Sequence, residues 1–168
     1  MKKLKYVLLL SLVLITGVSF SQSKTAHINY SQLVLSMPET TAAKTELDNL
    51  TKSYQAQLTK IETEYKTKLE AFQKEEKTLA PAIKELRLKE LKDLEASFKN
   101  FQEAANKEIK EKDNALFNPI FEKAKTAVTE VAKSKGYSYV IDSSKDQYVY
   151  MNPKDDLMEL VKKKMGLK

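Results

Sequence analysis

The chain has no glycine between Gly17 and Gly136, and this long stretch is rich in Leu, Lys, Glu, Ala and Gln. Glycine is the commonest residue at tight turns and helix ends, so a stretch without it offers few places where the chain can reverse. The residues present instead are strong helix formers, with an apolar residue every three or four positions. The sequence therefore predicts long helices that extend away from a compact core.

Apolar residues in this stretch recur every 11 positions. Spacings of 3, 4 and 4 correspond to about 3.67 residues per turn, which gives an almost straight apolar stripe along a helix. Two helices with this shared period can pack side by side along their whole length. The rows are Leu47, Leu58 and Leu69; Leu50, Ile61 and Phe72; Tyr54 and Tyr65; Leu94, Ala105, Leu116 and Ala127; and Phe98, Ile109, Ile120 and Val131.

Prolines mark the predicted ends of the two helices. Ser36 and Glu39 have the spacing of a capping box, with Pro38 in the first turn, and this predicts a helix start. Pro81 is the predicted point of reversal, because proline and the residue before it both resist helical geometry. We therefore expect a helical hairpin over residues 38–135 with its tip near Pro81. A single helix kinked at Pro81 is the alternative.

The first 21 residues have the layout of a secretory signal peptide. Lys2, Lys3 and Lys5 precede an apolar run from Tyr6 to Phe20, and small residues precede a cleavage site before Gln22. The run is shorter than the roughly 20 apolar residues that span a bilayer. The expected mature protein is therefore exported and begins near residue 22.

Short β-rich segments flank the predicted arm. Residues 26–30 alternate as a strand does, and residues 137–141 and 147–151 predict a hairpin around a turn at residues 142–146. We expect the first strand to join this hairpin. A last helix is expected to be capped by Asp155 or Asp156 and closed by Gly166.

These segments, residues 22–37 plus 136–168, predict a small β-rich body. Three short strands bury too little apolar surface to be stable alone, so we expect the strands of several chains to close a shared barrel or sandwich. The predicted fold is mainly α, with a long antiparallel helical-hairpin, coiled-coil-like arm on this small β body. The apolar residues expected at the centre of the oligomer are Ile28, Tyr30, Val140, Ile141, Val149 and Met151.

The sequence carries little that indicates catalysis. His27 is the only histidine and there is no cysteine, so nucleophile–base pairs and thiolate metal sites are missing. The acidic residues near the end of the chain lack the spacing of a calcium loop. We therefore expect no enzyme activity, no cofactor and no metal. Residues 40–118 contain 15 basic and 15 acidic residues, which argues against nucleic acid as a partner.

The predicted tip of the arm is mildly basic and carries the apolar residues Leu79, Ile83, Leu86, Leu88 and Leu91. Its candidate contact residues for unfolded polypeptide or anionic lipid are Leu79, Ile83, Arg87, Leu88 and Lys89. The alternative is an ordinary solvated helix end.

Two segments carry a resemblance to a known family: residues 27–39, HINYSQLVLSMPE, and residues 131–142, VAKSKGYSYVID. Residues 148–151 and 155–157 also fit. On these segments the chain resembles the Skp/OmpH family of periplasmic chaperones. The resemblance implies a homotrimer with a small β-barrel body and three helical arms around a cavity. It also implies a periplasmic location and binding of unfolded outer-membrane proteins without ATP.

The function expected from this resemblance is that of a holdase, which binds unfolded outer-membrane proteins and prevents their aggregation. Two alternatives remain open. A structural or adaptor protein of the cell envelope would use the same arm to bind a folded partner. A lipid- or lipopolysaccharide-associated module would use the basic tip and the run Lys162–Lys164.

Overall fold

The computed structural model describes residues 23–145 and 147–167. In chain order it contains strand β1 (Thr25–Ile28), helices α1 (Tyr30–Leu35), α2 (Pro38–Glu75) and α3 (Pro81–Ser134), strand β2 (Tyr139–Asp142) and helix α4 (Met158–Met165). Two 3₁₀ turns, Ser143–Lys145 and Pro153–Asp155, lie between β2 and α4. The predicted signal peptide lies outside the described residues.

The two long helices, α2 and α3, form an antiparallel hairpin. Lys112 of α3 pairs with Glu46 of α2 at 2.6 Å, and nearer the tip Lys68 pairs with Glu90 at 3.0 Å. From the first ion pair to the second, the residue number rises on α2 and falls on α3, as it does in an antiparallel pair of helices. The predicted reversal near Pro81 is therefore confirmed, and the single kinked helix is wrong.

The 11-residue rows line the contact between the helices, except that Ile120, Ala127 and Val131 belong to the core at the base of the arm. Every member of the five rows is buried or partly buried, whereas most of the remaining arm residues are exposed. The shared period explains why the two helices stay in contact over so great a length. At 1.5 Å per residue, the 38 residues of α2 span roughly 57 Å.

The core of the molecule lies at the base of the arm. It is built from β1, α1, the start of α2, the last turns of α3 and α4. The core therefore reaches further along α3 than the predicted body boundary at residue 136. Its buried members are Ala26, Ile28, Leu33, Val34, Met37, Ala43, Ile120, Ala124, Ala127, Val128, Val131, Ala132, Leu157 and Val161.

The two strands form a parallel pair, with Thr25 opposite Tyr139 and Ile28 opposite Asp142. The predicted hairpin is wrong, because residues 147–151 form no strand. The Oδ1 atom of Asp142 accepts the backbone N–H groups of Ser144 at 2.9 Å and of Tyr30 at 3.2 Å. The bond to Ser144 starts a 3₁₀ turn directly after β2. This turn directs the chain away from the position in which residues 147–151 could pair with β2. Asp146, in the predicted turn, lies outside the described residues.

The predicted capping box at the start of α2 is also wrong. The residue before the helix is Met37, and no side chain caps it. The hydroxyl of Ser36 instead donates to the carbonyl of Leu33 at 2.6 Å, because Ser36 ends α1. Pro38 is the first residue of α2 as predicted, and its lack of an N–H reduces the need for a cap.

The last helix agrees with the sequence. Asp156 accepts the N–H of Met158, the first residue of α4, at 2.8 Å, although the residue directly before the helix is Leu157. Gly166 ends α4 with a φ of 70°. This left-handed conformation is the one that favours glycine at a helix end.

Candidate functional site

Aromatic side chains lie in the seam, which is the line of contact between α2 and α3. The ring of Tyr54 meets Phe101 edge to face, with 5.7 Å between the ring centroids. The hydroxyl of Tyr65 donates to Oε1 of Glu95 at 2.6 Å. Hydrogen bonds to Glu95 and Glu108 raise the pKa of Tyr65 and of Tyr54, respectively. These side chains join one helix to the other, so most of the apolar stripe serves arm packing.

One part of the seam remains open as an apolar groove of about 540 Å³. Its floor comes from members of the 11-residue rows on both helices, and charged side chains lie along its rim. A groove with this lining suits an apolar chain segment better than a charged ligand. The lining residues are Ile61, Glu62, Tyr65, Lys66, Leu69, Leu94, Glu95 and Phe98.

The tip of the arm exposes three large apolar side chains on α3. Ile83, Leu86 and Leu88 are 43%, 52% and 40% exposed. Scattered exposed apolar residues are ordinary, but these three follow closely along less than two turns of one helix. The tip is therefore a candidate contact surface.

The five predicted tip residues do not all share this exposure. Ile83, Leu88 and Lys89 are exposed, whereas Leu79 and Arg87 are partly buried. The sequence places Leu86 in the apolar tip but not among the five candidate contact residues, although it is the most exposed of the three large apolar residues. Its position three residues after Ile83 was the available signal, since residues at that spacing lie on one face of a helix.

The two edges of the small sheet differ. Next to β1 runs the segment before α4, where the N–H of Leu157 donates to the carbonyl of His27 at 3.0 Å. The Nε2 atom of His27 also lies 3.0 Å from the carbonyl oxygen of Asn152. Among the described residues, no strand pairs with the outer edge of β2. An edge with free backbone groups can accept a further strand.

A groove of about 360 Å³ lies beside this open edge. Its apolar lining comes mainly from β1, β2 and the last turns of α3, and two lysines and one aspartate contribute charged groups. The lining residues are Ile28, Tyr30, Lys125, Val128, Thr129, Ala132, Lys133, Tyr137, Ser138, Tyr139, Val140 and Asp142.

The segment that failed to form a strand is unusually exposed. Tyr148, Val149 and Tyr150 are 44%, 107% and 78% exposed. Three consecutive β-favouring residues with so little contact inside their own chain suit a contact outside it.

The six predicted residues of the oligomer centre occupy different environments. Ile28 is 1% exposed and lies inside the chain's own core. Tyr30 and Val140 pack against that core, and Ile141 and Met151 are partly buried. Val149 alone among the six is exposed. Tyr139, which is 64% exposed on β2, was missed by the sequence analysis.

Asp142 links these parts of the body. Burial raises the pKa of its carboxyl group, but hydrogen bonds from Ser144 and from the N–H of Tyr30 outweigh burial and hold the pKa below its ordinary value. The carboxylate is therefore ionised at neutral pH and fastens the end of β2 to the start of α1.

Within residues 23–145 and 147–167, no group of His, Cys, Asp or Glu is arranged to hold a metal ion. None of the helices over those residues is both long and apolar enough to cross a bilayer.

Comparison with known proteins identifies the family. A family model described as "Outer membrane protein (OmpH-like)" matches residues 24–165, which include both the arm and the body. The chain belongs to the Skp/OmpH family. The family expected from the two quoted segments is thus confirmed over almost the whole of the described chain.

Individual members of this family are distant in sequence. The Chaperone protein Skp of Yersinia enterocolitica is 24% identical over 157 residues, which cover 94% of each chain. The Chaperone protein Skp of Vibrio cholerae is 24% identical over 156 residues, covering 92% of this chain and 90% of the relative.

A solved structure shares the fold. The crystal structure of a putative OmpH-like outer membrane chaperone from Caulobacter crescentus superposes with a TM-score of 0.69 at 16% identity. The match covers 84% of this chain and 82% of the other. The mainly helical fold with a small sheet is therefore one that the family already contains.

Proposed function

We propose that this Skp/OmpH-family protein is an ATP-independent holdase of the periplasm that binds unfolded outer-membrane proteins and prevents their aggregation. The observation that carries the proposal is the family match over residues 24–165, which takes in the arm and the body together. The two relatives named as chaperones align over nearly their full length, so the same parts are available in this chain.

The arm supports a mechanism based on many weak contacts. Its helices use most of their apolar stripe for each other, and what remains is the open groove and the exposed tip. Each of these surfaces offers little affinity by itself. Several arms around one client would hold it through multivalency, and would release it without a nucleotide once membrane insertion offered a more stable state.

Such enclosure requires several copies of the chain, and we propose a homotrimer assembled through the body. The open edge of β2 and the adjacent groove offer backbone groups and apolar surface. The exposed segment Tyr148–Tyr150 of a second copy offers β-favouring side chains that lack partners in their own chain. Strands shared among three copies would complete the β-barrel that the family resemblance implies.

This assembly predicts that Val149→Glu dissociates the oligomer. The Val149 side chain is 107% exposed, so the change removes no contact within the chain, and circular dichroism should report unchanged helix content. Size-exclusion chromatography with light scattering should give a monomer. Leu86→Glu, at a 52% exposed tip position, is the matched control and should remain oligomeric. If Val149→Glu stays trimeric, the proposed interface is wrong.

The function itself is tested by diluting a urea-unfolded outer-membrane barrel protein into residues 22–168. Native mass spectrometry should show one client per trimer without nucleotide, and light scattering should show suppressed aggregation. A trimer that leaves the client to aggregate would refute the holdase and favour the adaptor, which should instead bind a folded envelope partner.

Contact with anionic lipid is the second candidate function, and the tip favours it. Lys89 and Leu88 are both exposed on the same turn of α3, so the tip offers both a cation and an apolar side chain. Binding of anionic vesicles should then weaken steeply with added salt, because contacts between exposed charges are screened. Vesicle binding that survives in Lys89→Ala/Leu88→Ala would refute the tip as the lipid contact.

A further inference from the structure

The apolar groove between α2 and α3, here called the arm groove, has four polar side chains on its rim, and they engage one another. The Nζ atom of Lys66 lies 2.6 Å from Oε1 of Glu62. The hydroxyl of Tyr65 donates to Oε1 of Glu95 at 2.6 Å. The one lysine on the rim is thus balanced by its neighbour, and the remaining charge is that of a carboxylate. A rim of this composition does not attract an acidic ligand.

The surroundings of the arm groove are mildly acidic as well. The middle of the arm consists of residues 55–65 of α2 and the facing residues 94–104 of α3, which the bond between Tyr65 and Glu95 joins. The lysines that make the tip basic lie outside both stretches. The charged residues of the two stretches are two lysines and four glutamates: Lys60, Lys99, Glu62, Glu64, Glu95 and Glu103.

The basic residues of the body are too distant to act at the arm groove. Ile61 lies 18 positions beyond Ala43, the last buried residue of α2 near the body, and this corresponds to about 27 Å of helix. Charges in water at physiological salt are screened over about 8 Å. The rim and its immediate surroundings therefore determine the electrostatic environment of the groove.

The floor of the arm groove is apolar surface that the two helices leave partly uncovered. On α3, the seam residues on either side of the groove, Leu91 and Ala105, are 6% and 4% exposed. The helices therefore pack closely on both sides of the groove and leave an opening between. The four apolar residues in this opening are all only partly buried: Ile61, Leu69, Leu94 and Phe98.

The length of the arm groove matches an extended strand with alternating side chains. Ile61 and Leu69 are eight positions apart, or about 12 Å along α2. Side chains on one face of a strand recur about every 7 Å. The groove can therefore take two neighbouring apolar side chains from one face of a strand, while the polar side chain between them stays in water. Strands of outer-membrane barrels have this alternation.

We propose that the arm groove binds two same-face apolar side chains of an unfolded outer-membrane strand, and that the arm captures such strands regardless of the client's net charge. This recognition rests on the proposed holdase function and names the feature of the client that the arm reads. The equal numbers of basic and acidic residues over residues 40–118, 15 of each, agree with it. One groove binds weakly, so retention still requires the tip and the other arms.

Charge independence is tested with one fluorescently labelled, urea-unfolded outer-membrane barrel protein in two forms. The first form is unmodified, and the second is succinylated, which converts its lysine ammonium groups into carboxylates. Fluorescence anisotropy gives the Kd of each form for residues 22–168 at about 50 and about 500 mM NaCl. We expect the four Kd values to agree within about twofold, because apolar contacts are not screened by salt. A tenfold weakening with salt, or a tenfold preference for either form, would overturn charge-independent capture.

Phe98→Ala tests the groove itself, and Phe101→Ala is the matched control. Both are partly buried phenylalanines of α3, but Phe101 packs against Tyr54 in the seam and does not line the groove. We expect Phe98→Ala to raise the Kd of the unmodified client about fivefold or more, because the loss recurs in every arm. Phe101→Ala should leave the Kd unchanged, while circular dichroism shows similar melting of the two variants. Equal Kd values for the two variants would overturn the groove as the binding site.

The unchanged protein separates failure of this recognition from failure of the proposed function. If it binds the unmodified client with a steep salt dependence, the holdase function stands and charge-independent capture is wrong. If it binds neither form of the client, the holdase function is refuted, and recognition by the groove is refuted with it.

Discussion

A chain that lacks residues 70–92, with Leu69 joined to Asp93 by a short Gly–Ser linker, will keep its body and its oligomer but lose most of its protection of unfolded clients. The excised part contains the tip and no member of the body core. Lys68 loses its partner Glu90, whereas the pair of Tyr65 and Glu95 remains to hold the shortened helices together.

The measurement is light scattering of an aggregating barrel protein at increasing chaperone concentration. We expect the shortened chain to need at least about tenfold more protein for equal protection, because avidity falls steeply when contacts are removed from a multivalent surface. A full-length chain with Leu86→Glu is the control for loss of apolar tip surface alone. Full protection by the shortened chain would place client binding in the body, and loss of the oligomer would contradict the assignment of the body.

Leu33→Ala will strongly destabilise the body. Leu33 is 0% exposed at the centre of the core, so its truncation leaves a cavity in addition to the lost burial. We expect a loss of about 3 kcal/mol in the free energy of unfolding. The small core has few other contacts to offset this loss.

Leu35→Ala on the same helix is the matched control. Leu35 is 57% exposed, and a surface substitution of this kind changes stability by about 0.5 kcal/mol or less. Both variants are compared by urea unfolding at one protein concentration, because oligomer stability depends on concentration. Equal losses in the two variants would show that the body core is not packed as described.

Local patterns in the sequence predicted the arm well. The 11-residue rows fixed which faces of α2 and α3 meet, and Pro81 fixed where the chain reverses. Both signals depend only on residues that lie within a few helical turns of each other. The period of the apolar residues decides the buried stripe, and proline geometry decides where a helix begins.

The body was predicted less well, because its contacts join distant parts of the chain. Residues 147–151 have strand-forming composition, yet Asp142 bonds to Tyr30 and Ser144 and turns the chain elsewhere. The hydroxyl of Tyr30 bonds to the Phe121 carbonyl, a contact that no local pattern indicates. The spacing of Leu86 from Ile83 indicates that both lie on one face of the tip. The groove beside β2, in contrast, is lined by residues that are far apart in the sequence.

The parallel pairing of β1 with β2 has a consequence for the order of folding. Asp142 follows Tyr30 by 112 positions, and the whole arm lies between them. Strand β1 precedes β2 by the whole arm, so the sheet can form only once residues 139–142 are available. Contacts near the tip, such as Lys84 with Glu76 and Lys68 with Glu90, join residues that are much closer in the chain. Because closing a longer loop costs more entropy, we expect the arm hairpin to form before the sheet and to bring its two strands together.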